Sequence, residues 1–246
     1  MATAARLRLE QLLQSKKLDG TLLRPWLAPA GKVIPTGIAG LDDALAGGWP
    51  AGEISELVGH RSSGRTGTVI RTIAAATVRG DLVGLIDAFD RFDPAGAAAA
   101  GVDLDRVLWV RGPACTVEQA SPALLDRALH QAIRAFDLII RAGGFALALL
   151  DLADAPPRAI RALPAATWLR LARGLEGRDA VALLVGETPM GRSARGATIR
   201  IESSRRWAGR SPQSRRFTGF EVRAAISQAA RPALSSPIWR LDAHQR

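Results

Sequence analysis

Gly59, Gly64, Arg65 and Thr66 stand in EISELVGHRSSGRTGT, residues 53–68, at the spacing of the phosphate-binding loop G-x-x-x-x-G-K-[ST], with arginine in the lysine's place. In such a loop the backbone N–H groups converge on a phosphate, and the N-terminus of the following helix adds partial positive charge. His60, Arg61, Ser62 and Ser63 fill the turn between the two glycines. The threonine hydroxyl would bind Mg²⁺, and an aspartate closing a nearby strand, here Asp151, would support it. Arginine keeps the positive charge but presents a wide planar fork instead of a compact ammonium, and the two do not interchange at a tight site. The only lysines are Lys16, Lys17 and Lys32, so no lysine close in sequence can stand in. The cofactor is left open by the loop: ATP with Mg²⁺, or a nucleotide or phosphate held without turnover.

A second set of residues could carry binding. Of the formal net charge of +10, most lies beyond Gly191, where 12 arginines face Glu202, Glu221 and Asp242. A field of this sign suits an acidic partner such as nucleic acid; the plainer alternative is a solvated arginine-rich face. Arg205, Arg206, Arg210, Arg215 and Arg216 surround Trp207 and Phe217 in SSRRWAGRSPQSRRFTG, and arginine with interleaved aromatics suits phosphates and unstacked bases. Near the end of the chain, Ile238, Trp239 and Leu241 form a small apolar cluster that could dock on a partner or fold back on its own domain.

The elements that must position these residues alternate in type. An apolar run at 54–58 precedes the loop and a helix over 66–79 follows it; LVGLID (82–87), VLWV (107–110), FALALLD (145–151) and AVALLV (180–185) read as further buried strands. Ile38, Leu41 and Leu45 lie on one face of a short helix, Ser121 caps a helix running to about Phe136 with Pro122 in its first position, and 165–174 is helical. Strands separated by helices predict an α/β fold with a mainly parallel central sheet flanked by helices. Two alternating stretches, 197–203 and 219–227, predict antiparallel strands near the C-terminal end. Residues 1–33 read as an amphipathic helix and a linker anchored by Trp26, 34–228 as the core domain, and 229–246 as an extended tail.

The single Cys115 excludes an internal disulfide, and His60, His130 and His244 are too scattered for a metal site, so no metal centre is expected. The N-terminal stretch lacks the apolar core of a signal peptide and no uncharged run approaches the ~20 residues of a membrane span. The expectation is a soluble cytoplasmic protein without a membrane partner.

The order IPTGIAGLDDALAGGWPAGEISELVGHRSSGRTG, LIDAFDRFDPAGAAAAGVDLDRVL, FALALLD and LLVGE resembles the ATPase core of the bacterial RecA family over about residues 34–228. The resemblance implies a RecA-like P-loop core, and it also marks departures. Arg65 replaces the loop lysine, and Phe89 falls where the family carries the glutamate that activates water. Gly96 takes the place of an adenine-stacking tyrosine; Ile226 and Gln228 take the places of two lysines that reach a neighbouring subunit's ATP. The family's two DNA-facing loops correspond to about 154–166, with Arg158 and Arg161, and 189–196, with Arg192 and Arg195.

A short RecA-like chain with a degenerate ATP site and a basic C-terminal region is most similar to the ImuA family. That resemblance implies an accessory role in SOS-induced translesion DNA synthesis. The implied partners are an ImuB-like Y-family polymerase homologue and a DnaE-type error-prone polymerase, with DNA and RecA as further candidates. An ATP-dependent recombinase or repair ATPase using Arg65 as a working substitute is the rival expectation, and an SOS cell-division inhibitor is a third.

Overall fold

The computed structural model describes residues 31–114, 120–191, 193–227 and 236–242. The expected N-terminal helix and Trp26, together with Cys115, Arg192, Gln228 and His244, lie outside the described residues. From Lys32 onward the chain forms one compact unit. It runs β1 (Val33–Ile34), α1 (Ala39–Ala44), β2 (Trp49–Pro50), β3 (Ile54–Val58), α2 (Arg65–Val78), β4 (Val83–Asp87), α3 (Pro94–Ala99) and β5 (Val107–Arg111). Then come α4 (Pro122–Ala142), β6 (Leu147–Asp151), α5 (Pro157–Ala162), α6 (Ala165–Leu175), β7 (Val181–Gly186), β8 (Thr198–Ala208), β9 (Arg216–Ser227) and β10 (Ile238–Asp242).

The main sheet has eight strands in the order β10-β9-β8-β3-β7-β6-β4-β5. From β8 to β5 neighbouring strands are parallel, and β8, β9 and β10 pair antiparallel. The expected α/β architecture with antiparallel strands at its C-terminal end is what the chain adopts.

Apolar side chains fill both faces because adjacent residues on a pleated strand point to opposite sides. Leu147 and Leu149 join Leu57, Leu183, Val185, Ile73 of α2 and Leu41 of α1 on one face. Ala148 and Leu150 join Phe136 of α4 and Leu171 of α6 on the other. Helix α4 buries Leu125, Ala128, Leu129, Ala132, Ile133, Phe136, Ile139 and Ile140, the three-and-four spacing of a single stripe. Ser121 accepts a hydrogen bond from Leu124 N at 3.2 Å, and Pro122 sits where no intrahelical donor is needed. The stripe continues past Phe136, and so does the helix, to Ala142.

Three expectations about the second half are corrected. The stretch 154–166 is not an open loop: it contains α5, with Arg158 and Arg161 on a short helix of six residues whose Ile160 is buried. The basic segment after 203 is not a connection either. Strands β8 and β9 extend into it as a long hairpin, pairing Arg205 with Phe220, Arg206 with Gly219 and Trp207 with Phe217 around a register shift. Finally, residues 238–242 of the supposed tail form the edge strand β10, pairing Trp239 with Val222 and Leu241 with Phe220. Trp239 is buried and Leu241 packs against the core, so this cluster folds back on its own domain and Ile238 alone of the three remains largely exposed.

Candidate functional site

Strand β3 delivers the chain to the loop at the C-terminal edge of the parallel strands, where open α/β sheets place their ligands. Gly59 N donates to Gly186 O at 3.2 Å, and Ser63 N donates to His60 O at 3.1 Å, closing the turn. Ser62 has φ 63° and Gly64 φ 94°, so the loop passes through the left-handed region twice before α2 begins. A Cβ on Gly64 would also lie 2.7 Å from Val222 Cγ2. The helix starts at Arg65, one residue earlier than expected, and Thr68 N caps it back onto Gly64 O at 3.0 Å.

Arg65 is drawn inward: it is 8% exposed, and burial lowers its pKa while the neighbouring carboxylates of Asp151, Glu187 and Asp154 hold it up. Its Nη1 and the Oγ of Ser63, a residue 6% exposed, have no hydrogen-bond partner. Asp151 ends β6 beside the loop and accepts a hydrogen bond from Ala153 N at 2.8 Å. Desolvation raises its pKa to about 6 against the Ala153 bond, with the charge of Asp87 adding to the rise. Thr66 lines the same cavity, of about 420 Å³, as Arg61, Ser63, Arg65 and Asp151. His60 points away from it and meets Glu187 at 3.1 Å on the surface.

The position expected to activate water is filled by Phe89, which is 2% exposed and packed in the core cluster of α4. Asp87 forces this turn: its carboxylate accepts from Arg91 N at 2.9 Å, Phe92 N at 2.8 Å and Trp109 Nε1 at 3.3 Å. Asp90, at φ 59°, instead faces outward and receives two hydrogen bonds from Arg111, at 2.9 and 2.8 Å. Gly96 lies in the first turns of α3, where a Cβ would meet Asp93 Oδ2 at 2.5 Å. Ile226 is packed against the core through β9.

The basic residues divide. Arg195 donates from Nε to Glu53 at 2.9 Å, and Ser193 also bonds Glu53, which fastens the 189–196 segment down. Buried Glu56 reinforces it, accepting from Met190 N at 2.6 Å, Gly191 N at 2.7 Å and Thr198 Oγ1 at 2.8 Å. This segment is thus a braced connection, and Arg195 is committed within it. Arg206 pairs with Asp242 at 3.0 Å, while Arg215 lies 5.7 Å from the Trp207 ring centroid. Arg205, Arg210 and Arg216 are exposed on the hairpin, and Arg158 and Arg161 are exposed on α5.

Sequence reasoning missed Glu53 and Glu56 as braces and missed that Phe217, Phe220 and Leu241 wall the loop's cavity. A signal existed in Gly67: a Cβ there would lie 2.8 Å from Leu241 Cδ1, so a small residue in the first turn of α2 marks a close approach by another element.

Among the described residues no group of three or more His, Cys, Asp or Glu side chains could hold a metal ion, and no helix is long and apolar enough to cross a membrane. The residues present fit a phosphate, through the loop, the helix N-terminus and the unpartnered Arg65 and Ser63 atoms. At the position where the resemblance implies a water-activating glutamate the side chain is a buried phenyl ring, Phe89.

Fold and loop together define an α/β core with the strand–loop–helix of P-loop proteins. Residues 28–155 match the RecA N-terminal domain family, and the chain belongs to that family. It is 36% identical over 120 residues to Protein RecA of Francisella philomiragia, a match covering 48% of this chain and 29% of that relative. Protein RecA of Francisella tularensis subsp. novicida is 35% identical over 120 residues, covering 48% of this chain and 30% of the relative. The chain therefore spans under a third of the length of these curated relatives.

Proposed function

We propose that this RecA-family chain is a non-catalytic accessory protein of SOS-induced translesion DNA synthesis, of the ImuA kind, working in the cytoplasm through contacts with a polymerase complex and with DNA. The observation that carries the non-catalytic half is Phe89, a core side chain at the place where an ATPase of this family needs a carboxylate. Arg65 points the same way: its guanidinium is buried beside Asp151 instead of offering a lysine's compact charge to terminal phosphates. The exposed arginines and aromatic rings of the β8–β9 hairpin support the DNA contact. The ImuA resemblance supports the partners, an ImuB-like Y-family polymerase homologue and a DnaE-type polymerase, with RecA a further candidate.

The rival reading, a RecA-type recombinase or repair ATPase, is favoured by the retained loop geometry and by the match to proteins named RecA. Affinity capture with the full chain from DNA-damaged cells separates the two. Recovery of the two polymerases supports the accessory role; recovery of recombination proteins alone supports the rival, and recovery of a cell-division protein without polymerases supports the third expectation.

A further inference from the structure

Strands β8 and β9 overrun the N-terminal end of α2. On the face that covers this helix, Ile199, Ile201, Val222, Ala224 and Trp239 are buried in the core. Further along the same face, past the helix, the pairs Ser203–Val222 and Arg205–Phe220 follow, and beyond the register shift Trp207–Phe217. Ser203 Oγ donates to Ser62 O at 2.6 Å and fastens this overhang to the phosphate loop. The loop and the hairpin are therefore two walls of one cavity, with Arg61 to Gly67 on one side and Phe217, Gly219 and Phe220 on the other.

The second wall is aromatic. Phe220 and Phe217 meet edge to face with ring centroids 5.1 Å apart, Phe217 and Trp207 do so at 5.6 Å, and Arg215 extends the row over Trp207. Only the inner end of this row is packed: Phe220 touches the core, whereas Phe217 is 40% and Trp207 48% exposed. A row of rings with a cationic end, open to solvent beside an anion-binding loop, matches the chemistry that holds unstacked bases, since every base has a face that can stack. The loop wall carries its own mark of a ligand in the buried, unpartnered Arg65 Nη1 and Ser63 Oγ. Of the carboxylates that also line the cavity, Asp154 is paired with Arg91 at 2.7 Å and Asp242 with Arg206 at 3.0 Å, while Asp151 lies in the field of Arg65.

We propose that this cavity holds one nucleotide of a single-stranded nucleic acid, its phosphate on the loop at Ser63 and Arg65 and its base stacked on Phe217, with Trp207 receiving the next base. The proposal deepens the DNA contact proposed above and rests on it. A free nucleotide offers the same phosphate and base, but the ring row runs on past the cavity to Trp207 and Arg215, beyond the reach of a single base.

The test is fluorescence anisotropy of a labelled oligo(dT) strand with the full chain, compared with a strand of abasic residues. Phe217→Leu is expected to weaken oligo(dT) binding by about fivefold or more and to leave the abasic strand unaffected, while Phe217→Trp restores oligo(dT) binding. Oligo(dT) bound equally well by wild type and Phe217→Leu overturns the stacking assignment and leaves the broader DNA contact standing. Absence of oligo(dT) binding by the wild-type chain overturns both. A fluorescent ADP analogue whose binding depends on Phe217, with oligo(dT) failing to displace it, assigns the cavity to free nucleotide and overturns the strand proposal.

Discussion

The two walls of the cavity are built in opposite ways. On the loop side a position expected to be reactive is drawn into the core: Phe89 packs in the cluster of the far face, while Arg65, 8% exposed, still lines the cavity. On the hairpin side Trp207 and Phe217 are left outward, with arginines around them. At Phe89 burial converts a reactive position into a structural one, because a packed side chain no longer reaches a ligand and its loss costs stability. Exposure of large rings does the reverse: it forgoes burial energy and keeps a surface that a partner can cover. The difference separates a wall kept for its shape from a wall kept for its chemistry.

If Phe89 is core, truncating it should hurt folding. Phe89→Ala is expected to lower unfolding stability by about 3–5 kcal/mol, read from denaturant titration with an unchanged m-value. A change below about 1 kcal/mol would place the ring outside the core and break the contrast between the walls.

The hairpin wall should fail in binding, not in folding. Replacing Arg205, Arg206, Arg215 and Arg216 together by alanine is expected to leave the unfolding midpoint nearly unchanged. It should weaken single-strand binding and reduce its salt dependence by about 3 in the log–log slope, at ~0.7 per phosphate contact. An unchanged slope would move the DNA surface elsewhere.

The smallest effect sharpens the loop side. Asp151 has a folded pKa of about 6, raised above its unfolded value near 3.8. Between these values the native state binds more protons than the unfolded one, so the contribution of this group to stability is greatest below pH 4 and is lost as pH rises to about 6. The loss is of the order of 1–2 kcal/mol once solvent at the partly exposed strand end is allowed for. Asp151→Asn should flatten that part of the stability–pH curve. A wild-type curve that rises through the same window because of Asp151 would show that its neighbourhood favours the carboxylate.

The loop was legible because its information is local: two glycines, a hydroxyl and a strand–helix context lie within residues 53–68. The parallel strands β3, β4, β6 and β7 were legible for the same reason, as largely apolar runs, whereas β5, expected to be buried, is the edge strand and leaves Leu108 49% exposed. What escaped was set by distant partners. Glu56 looks out of place in a buried strand until Met190, Gly191 and Thr198 supply its three donors. Arg195 looks available for DNA until Glu53 claims it. Ile238–Asp242 looks like a tail because its five residues have no helical or hairpin signal of their own, and pairing with β9 supplies what they lack.

The central claim, that the loop is kept for shape and not for turnover, meets its most direct test in ATP hydrolysis by the purified full chain with and without single-stranded DNA. Turnover at the level of the protein-free control in both cases, unchanged by Arg65→Ala, is the predicted result. DNA-stimulated hydrolysis that disappears in Arg65→Ala would contradict it and make the chain a working ATPase.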